Sequence, residues 1–208
     1  MNSSQKEKFI RYFRKRLESL DYCNATFENT VRDEMQAIMD SVNDGEIQSD
    51  DPELSVAFSK LNFLIPSTFR NCMIVAACTL IEDVLLRFGV YTVPDFESNV
   101  DRLNNMSKIR KYLRVLQDEI PLDFTPIEEN LQLIDDIIKI RNAIVHTWGT
   151  IDSCSNHAAL RGIILRRNWV EETGDGYIFL DDVAYADAID PVLRLVEHIL
   201  DSVPVSDD

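Results

Sequence analysis

Three polar residues that could act on a phosphate stand close together in the sequence: Arg141, Asn142 and His146. Arginine suits a phosphate because its fixed N–H donors match two oxygens at once. Histidine suits general acid–base catalysis near neutral pH, and a place near the carboxyl end of a helix favours its protonated form. Asn142 and His146 are four residues apart, so a helix places them on one face. The three residues are therefore a candidate site for phosphodiester chemistry that needs no metal.

The helix expected around these residues gives Arg141 an unusual position. At about 100° per residue, the apolar residues of the segment form one broad arc, and Arg141 falls in its middle. The arc consists of Ile127, Leu131, Ile134, Ile137, Ile138, Ile144 and Val145. A guanidinium that points into a core is costly unless it is paired. We therefore expect an anionic partner for it.

Glu82 is the natural partner in the sequence. It interrupts an otherwise apolar helix, where it shares a stripe with Asn71, Val75 and Cys78. The residues alone leave two interpretations open. In the first, the carboxylate and the guanidinium belong to a functional site. In the second, they form a structural ion pair and the histidine is an ordinary helix cap.

The spacing of Arg141 and His146 sets a geometric condition on any joint action. The two residues are five apart, which is roughly 140° around a regular helix. One regular helix cannot easily direct both side chains to a single phosphate. Either the helix loosens near His146, or two copies of the motif meet across a symmetric interface.

Hydrophobic spacing predicts helices before this segment. Residues 5–42 favour one long helix or two shorter ones with a break near residues 21–24, and residues 45–50 are the best linker candidate. A further helix is expected to end near Leu64, because Pro66 follows. Ser67 or Thr68 can cap a fresh helix that reaches Phe88 and stops before Gly89. Its apolar residues surround nearly the whole circumference, which predicts a buried helix at the centre of a bundle.

The remaining elements are also mainly helical. A basic helix is predicted near residues 104–118, and Thr125-Pro126 opens the helix that Trp148-Gly149 ends. A short helix is expected at residues 156–166. Residues 169–171 and 177–180 flank Gly174-Asp175-Gly176 as a hairpin. A last helix covers residues 182–200, kinked or restarted at Pro191.

The composition is that of an ordinary globular protein with one principal domain. The chain has 208 residues, of which 45% are hydrophobic and 27% charged, and a net charge of -15. This charge argues against a general nucleic-acid coating protein, so any contact with RNA must be local. Basic residues are clustered at residues 6–16, at residues 108–114 and at Arg161, Arg166 and Arg167. We interpret these clusters as solvated helix faces. No signal peptide or membrane span is recognised, so a cytoplasmic location is expected.

The cysteines and histidines do not predict a cofactor or a metal. The cysteines Cys23, Cys72, Cys78 and Cys154 form no CxxC pair, and the chain has three histidines. We interpret the thiols as core residues.

The segment from Ile140 to Gly149, with its Arg-Asn and a His four residues after the Asn, resembles the motif of the HEPN superfamily. The apolar helix at residues 72–86 with Glu82 is similar to a further site element of that family. Gly176 to Leu180 followed by a last helix is similar to uncharacterised prokaryotic members. The resemblance implies an all-α, HEPN-like helical bundle over residues 51–203 with a small C-terminal β-hairpin insertion. It leaves an N-terminal helical extension at residues 1–50 and a tail at residues 204–208.

This resemblance also implies a function, namely a metal-independent endoribonuclease that acts as a toxin or phage-defence effector. His146 would serve as acid or base, Arg141 would bind the phosphate, Asn142 would orient the histidine or the substrate, and Glu82 would hold the arginine. A homodimer and an antitoxin or defence-system partner are implied as well. Trp148 stands where antitoxin-modified members have a tyrosine, and this departure argues against regulation by adenylylation. Two alternatives stay open: a module that binds a nucleotide, RNA or protein without cleavage, and a purely structural role for the polar residues.

Overall fold

The computed structural model describes residues 2–48, 51–120 and 122–202, and they are mostly helical. The helices are α1 (Ser3–Asn43), α2 (Pro52–Ser59), α3 (Ile65–Thr92), α4 (Phe96–Asp101), α5 (Lys108–Glu119), α6 (Glu128–Thr147), α7 (His157–Ile164) and α8 (Ala184–Ser202). The strands β1 (Val170–Glu172) and β2 (Ile178–Leu180) form one antiparallel pair. The predicted helical class with a small hairpin is confirmed.

The chain divides into two compact units that do not follow its linear order. The first unit comprises Met1–Glu18, Ala76–Lys139 and Ala186–Asp208, and the second comprises Ser19–Val75 and Ile140–Tyr185. The long helices α1, α3, α6 and α8 each supply residues to both units. The expected tail at residues 204–208 lies outside the described residues, as do Ser49 and Asp50 of the expected linker.

Helix α1 is a single helix, without the break considered near residues 21–24. One polar residue of this stretch takes part in a contact of the second unit. Asp21 accepts a hydrogen bond of 2.8 Å from the hydroxyl of Tyr185, and burial raises the pKa of that hydroxyl. One turn and a half later, the ring of Phe27 stacks on Phe69 at 3.7 Å between centroids. The asparagine and aspartate that resembled a break are therefore compatible with a continuous helix.

The chain does not break at Pro66, contrary to the prediction. A π-helical turn, Lys60–Leu64, joins α2 to α3, and the N–H of Ile65 donates to the carbonyl of Lys60. A wider turn of this kind tolerates a proline, which has no N–H to give and whose ring crowds the preceding turn of a regular α-helix. The hydroxyl of Thr68 donates to Leu64 instead of capping a new helix.

Helix α3 also continues past Gly89 to Thr92, so the glycine is not the predicted stop. A Cβ atom at Gly89 would lie 2.3 Å from the ring of Phe96, which is fully buried. The glycine is needed because this ring approaches the helix backbone closely. The predicted burial of α3 on most sides is confirmed by its buried apolar residues: Met73, Ile74, Ala77, Cys78, Leu80, Ile81, Val84, Leu85 and Phe88.

The hairpin lies where the sequence predicted it, and in it Val170 pairs with Leu180 and Glu172 with Ile178. Helix α8 runs through Pro191 as one element, so the predicted restart at this proline is wrong. No helix within the described ranges has the length and apolarity needed to cross a membrane. The histidine, cysteine and acidic side chains of those ranges form no group of three that could hold a metal ion.

Candidate functional site

Arg141, Asn142 and His146 lie in the last two turns of α6, in the part of the helix that belongs to the second unit. The helix stays α-helical through Thr147, so it does not loosen near His146. The angle of roughly 140° between Arg141 and His146 therefore holds within one chain.

Arg141 is half-buried and is bonded to the neighbouring asparagine. Its Nη1 donates a hydrogen bond of 3.0 Å to Oδ1 of Asn142. Its Nε is buried and has no hydrogen-bond partner among the described residues. A buried donor without a partner costs about 1–3 kcal/mol. The guanidinium thus has one donor that the described residues leave unsatisfied, and its hydrogen bond to Asn142 orients it.

His146 is exposed, and its ring forms no hydrogen bond with the described residues. Other residues cap the end of α6. The hydroxyl of Thr147 lies 2.8 Å from the carbonyl oxygen of Ala143 and 3.0 Å from that of Thr150. The N–H of Gly149 donates to the carbonyl of Ala143 at 3.1 Å. The imidazole is therefore available to a ligand, because capping does not occupy it.

The β-hairpin holds the chain that follows α6. The N–H of Ile178 donates to the carbonyl of Gly149 at 2.9 Å, and the N–H of Ile151 donates to the carbonyl of Gly176 at 3.0 Å. Gly149 has a φ of 80°, a conformation that favours glycine. These bonds fix the end of the helix on which the histidine stands.

A cluster of charged residues ties the hairpin to α7. Arg161 donates to both carboxylate oxygens of Glu172, at 3.1 and 2.8 Å, and to Asp152 at 2.8 Å. The hydrogen bond from Arg161 holds the pKa of Glu172 below its ordinary value. The hairpin, α7 and the chain after α6 are thus connected within the second unit.

Trp148 follows helix α6. Its side chain is exposed and its backbone conformation is strained. Its φ is 55°, in the left-handed region that bulky residues rarely adopt. Its side chain is 89% exposed, whereas Trp169 is 2% exposed. The helix stop predicted at Trp148-Gly149 is confirmed.

An apolar pocket of about 470 Å³ lies beside this tryptophan, entirely within the second unit. It is lined by Ser67, Thr68, Asn71, Cys72, Val75, Ile144, Val145 and Trp148. Ile144 and Val145 follow Arg141 by three and four residues, so they share its side of α6. Val145 is 47% exposed. The apolar arc predicted for α6 is therefore not all core, because its last residues form a pocket wall.

The pocket also contains polar groups that the sequence did not single out. Oδ1 of Asn71 is buried and has no hydrogen-bond partner in the described ranges. Cys72 is exposed at the pocket. The prediction that all four thiols lie in the core is wrong for Cys72 and Cys23, which are exposed, and correct for the other two. A cysteine on a helix is apolar enough to suit either environment.

Glu82 belongs to the first unit, where its carboxylate lies 3.9 Å from Nζ of Lys108. It is partly exposed, with a side-chain exposure of 27%. The structure thus brings Arg141 and Asn142 together and leaves His146 accessible on the same helix. The support of Arg141 by Glu82 stays a prediction.

Sequence reasoning missed the pocket and the unbonded amide of Asn71. Neither has a signal in one helix alone, because the pocket forms from residues 67–75 together with residues 144–148. Trp148 did carry a signal. A tryptophan at a position where helices usually place glycine or asparagine is an exception to the rule for helix ends.

Comparisons with protein-family models, with curated proteins and with solved structures found no match to this chain. The likeness to HEPN proteins therefore depends on the motif residues, and the functional argument depends on the geometry of the site.

Proposed function

We propose that this protein is a metal-independent endoribonuclease of the HEPN type, with a HEPN-like bundle over residues 51–203, acting in the cytoplasm. One observation carries the proposal. A guanidinium oriented by Asn142, with an unpartnered buried Nε, stands on the same two helical turns as an exposed imidazole that caps nothing. These are the two groups that a phosphodiester requires for charge stabilisation and proton transfer.

The proposed reaction is transesterification within the RNA strand. A base, His146 of one chain or of its partner, takes the proton of a ribose 2′-hydroxyl. The 2′-oxygen then bonds to the adjacent phosphorus while the bond from phosphorus to the 5′-oxygen breaks. The leaving oxygen takes up a proton from a protonated His146 or from water, so the products carry a 2′,3′-cyclic phosphate and a 5′-hydroxyl. Arg141 stabilises the charge that develops on the phosphate oxygens.

A homodimer is part of this proposal. Since α6 is regular through Thr147, a single chain separates the arginine and the histidine around the helix. A two-fold axis near His146 would bring the arginine of one chain to the histidine of the other, because such an interface uses the same patch twice. An antitoxin or another defence-system protein is proposed as the regulator of the active dimer.

Cleavage of RNA in the presence of EDTA tests the activity. Purified protein should cut RNA and leave DNA intact, because the nucleophile is the 2′-hydroxyl. His146→Ala and Arg141→Ala should each lower the rate at least about 100-fold, the lower range for loss of a positioned acid–base group or charge-stabilising contact. The assay measures fragments and their cyclic-phosphate ends.

His157→Ala is the matched control, since His157 is also exposed and lies in the second unit outside α6. It should cut at the wild-type rate. Cleavage that persists without His146 contradicts the mechanism, and cleavage that stops in EDTA contradicts its independence of metal.

A second candidate function is binding without cleavage. The apolar pocket beside Arg141 favours it, since its volume of about 470 Å³ is in the range of small-molecule sites. The net charge of -15 agrees with a local rather than an extended RNA contact. Intact RNA after incubation with wild-type protein, together with measurable nucleotide binding, would favour this function.

A further inference from the structure

The pocket beside α6 combines an exposed aromatic ring with polar groups and an adjacent cation. Trp148 is 89% exposed, and its φ of 55° is unfavourable for a residue with a bulky side chain. Strained residues of this kind persist where the surrounding structure enforces them, and they are concentrated at ligand sites. The bonds at Gly149 and Ile151 provide such enforcement.

One polar atom of a residue that lines the pocket lacks a hydrogen-bond partner among the residues that the structure describes. Oδ1 of Asn71 is buried without a hydrogen-bond partner in the described ranges, although its residue lines the pocket. Buried polar atoms in native proteins are nearly always bonded, so one that is unbonded at a pocket wall indicates a missing partner. Each nucleobase offers an N–H group that could donate to this oxygen.

The position of Arg141 indicates what is attached to that ligand. Ile144 and Val145, which line the pocket, are the residues three and four places after Arg141 on α6. The guanidinium is thus one helical turn from the pocket wall. A planar group in the pocket and an anion on Arg141 would belong to one nucleotide unit.

We propose that this pocket is a base subsite that binds an unpaired nucleobase of single-stranded RNA, stacked on Trp148 and bonded at its edge to Asn71. The adjacent phosphate is then bound by Arg141. The inference rests on the proposed function, because it identifies the substrate of the same site as single-stranded RNA with an unstacked base. Stacking on aromatic side chains is how proteins commonly bind such strands.

A short fluorescent oligonucleotide with 2′-O-methyl riboses tests the subsite, since it keeps the bases and phosphates but has no nucleophile for cleavage. Binding is measured by anisotropy for wild-type protein, Trp148→Gly and Tyr22→Ala. Tyr22 is the matched control, an aromatic that is 72% exposed and does not line the pocket. Trp148→Gly should weaken binding at least about 5-fold, as expected for loss of one stacked base. Tyr22→Ala should bind as wild type does.

Alkylation of cysteine gives a second readout that needs no variant. Cys72 lines the pocket and Cys23 is exposed elsewhere, so one protein carries both the probe and its control. Bound oligonucleotide should slow alkylation of Cys72 and leave that of Cys23 unchanged, as followed by mass spectrometry.

Equal binding by wild type and Trp148→Gly, or no binding by wild type, overturns the subsite. So does loss of a dimer in Trp148→Gly with unchanged oligonucleotide binding, which would make the pocket a contact between copies.

Cleavage of unmodified RNA is scored separately. Binding that depends on Trp148 without any cleavage contradicts the ribonuclease alone, whereas cleavage with binding that ignores Trp148 contradicts the subsite alone.

Discussion

Trp148 and Trp169 have opposite surroundings, and their exposures are 89% and 2%. Trp169 is a core residue of the second unit, where loss of its ring would cost about 3–5 kcal/mol. Trp148 buries little and occupies a left-handed conformation that costs about 1–2 kcal/mol for a residue with a side chain. Folding stability therefore does not account for a tryptophan at position 148, which is why a ligand is the better explanation for it.

Trp148→Gly should therefore not destabilise the protein. Glycine removes the left-handed strain, while its greater freedom in the unfolded chain costs about 0.5–1 kcal/mol. The free energy of unfolding should stay the same or rise by up to about 1.5 kcal/mol, which shifts Tm by at most a few degrees. Thermal unfolding followed by circular dichroism measures this, with Trp169→Ala as the destabilised comparison. A clear fall in Tm for Trp148→Gly would mean that the exposed ring contributes to packing.

At the scale of elements, the hairpin and α7 serve the end of α6. The carbonyls and N–H groups of residues 149–151 are bonded to residues 176–178, and Arg161 connects α7 to Glu172 and Asp152. A helix end would otherwise fray, since its last carbonyls have no partner within the helix. The hairpin and α7 thus fix the positions of His146 and Trp148.

The ion pair of Arg161 with Glu172 predicts a pH dependence of stability. The hydrogen bond from Arg161 holds the pKa of Glu172 below its ordinary value, although desolvation and the nearby Asp152 act in the opposite direction. A carboxyl with a lowered pKa in the folded state contributes stability above its unfolded pKa of about 4.3, and that contribution is lost as pH falls through the folded value. Glu172→Gln should lower Tm at pH 7, and the difference from wild type should shrink below about pH 4.

Glu171→Gln is the control, because Glu171 is an exposed neighbour on the same strand. It should leave Tm nearly unchanged across the same pH range. A difference between Glu172→Gln and wild type that does not vary with pH would assign the effect to packing.

Sequence patterns predicted most elements and the segment that carries the candidate site. They did not predict the features that depend on contacts between residues far apart in the sequence. The hairpin and the stop of α6 at Trp148-Gly149 follow from local turn chemistry, and both are confirmed. The passage through Pro66 depends on a π-helical turn, and the passage through Gly89 depends on the ring of Phe96. The pocket depends on two segments far apart in sequence. A helical wheel describes one helix by itself. It cannot predict the contacts with other segments that decide which residues of the apolar arc stay exposed.

For the whole molecule, the net charge of -15 restricts how RNA could approach. At moderate salt, the repulsion between the protein and a polyanion is largely screened beyond about 10 Å. A strand can therefore approach the protein, and its attraction to a small cationic site acts only at short range. An exposed tryptophan and a half-buried guanidinium at one helix end form such a site. A second copy of the same patch across a two-fold axis would double the local positive charge.

Mixing two inactive variants tests whether the active site is shared between chains. In a two-fold dimer whose sites each combine Arg141 of one chain with His146 of the other, a heterodimer of Arg141→Ala and His146→Ala keeps one intact site. Random exchange of equal amounts gives half heterodimers, so the mixture should recover about one quarter of the wild-type cleavage rate. Each variant alone should stay inactive, and light scattering should report dimers throughout. If both side chains act within one chain, no heterodimer has an intact site and the mixture stays as inactive as its components.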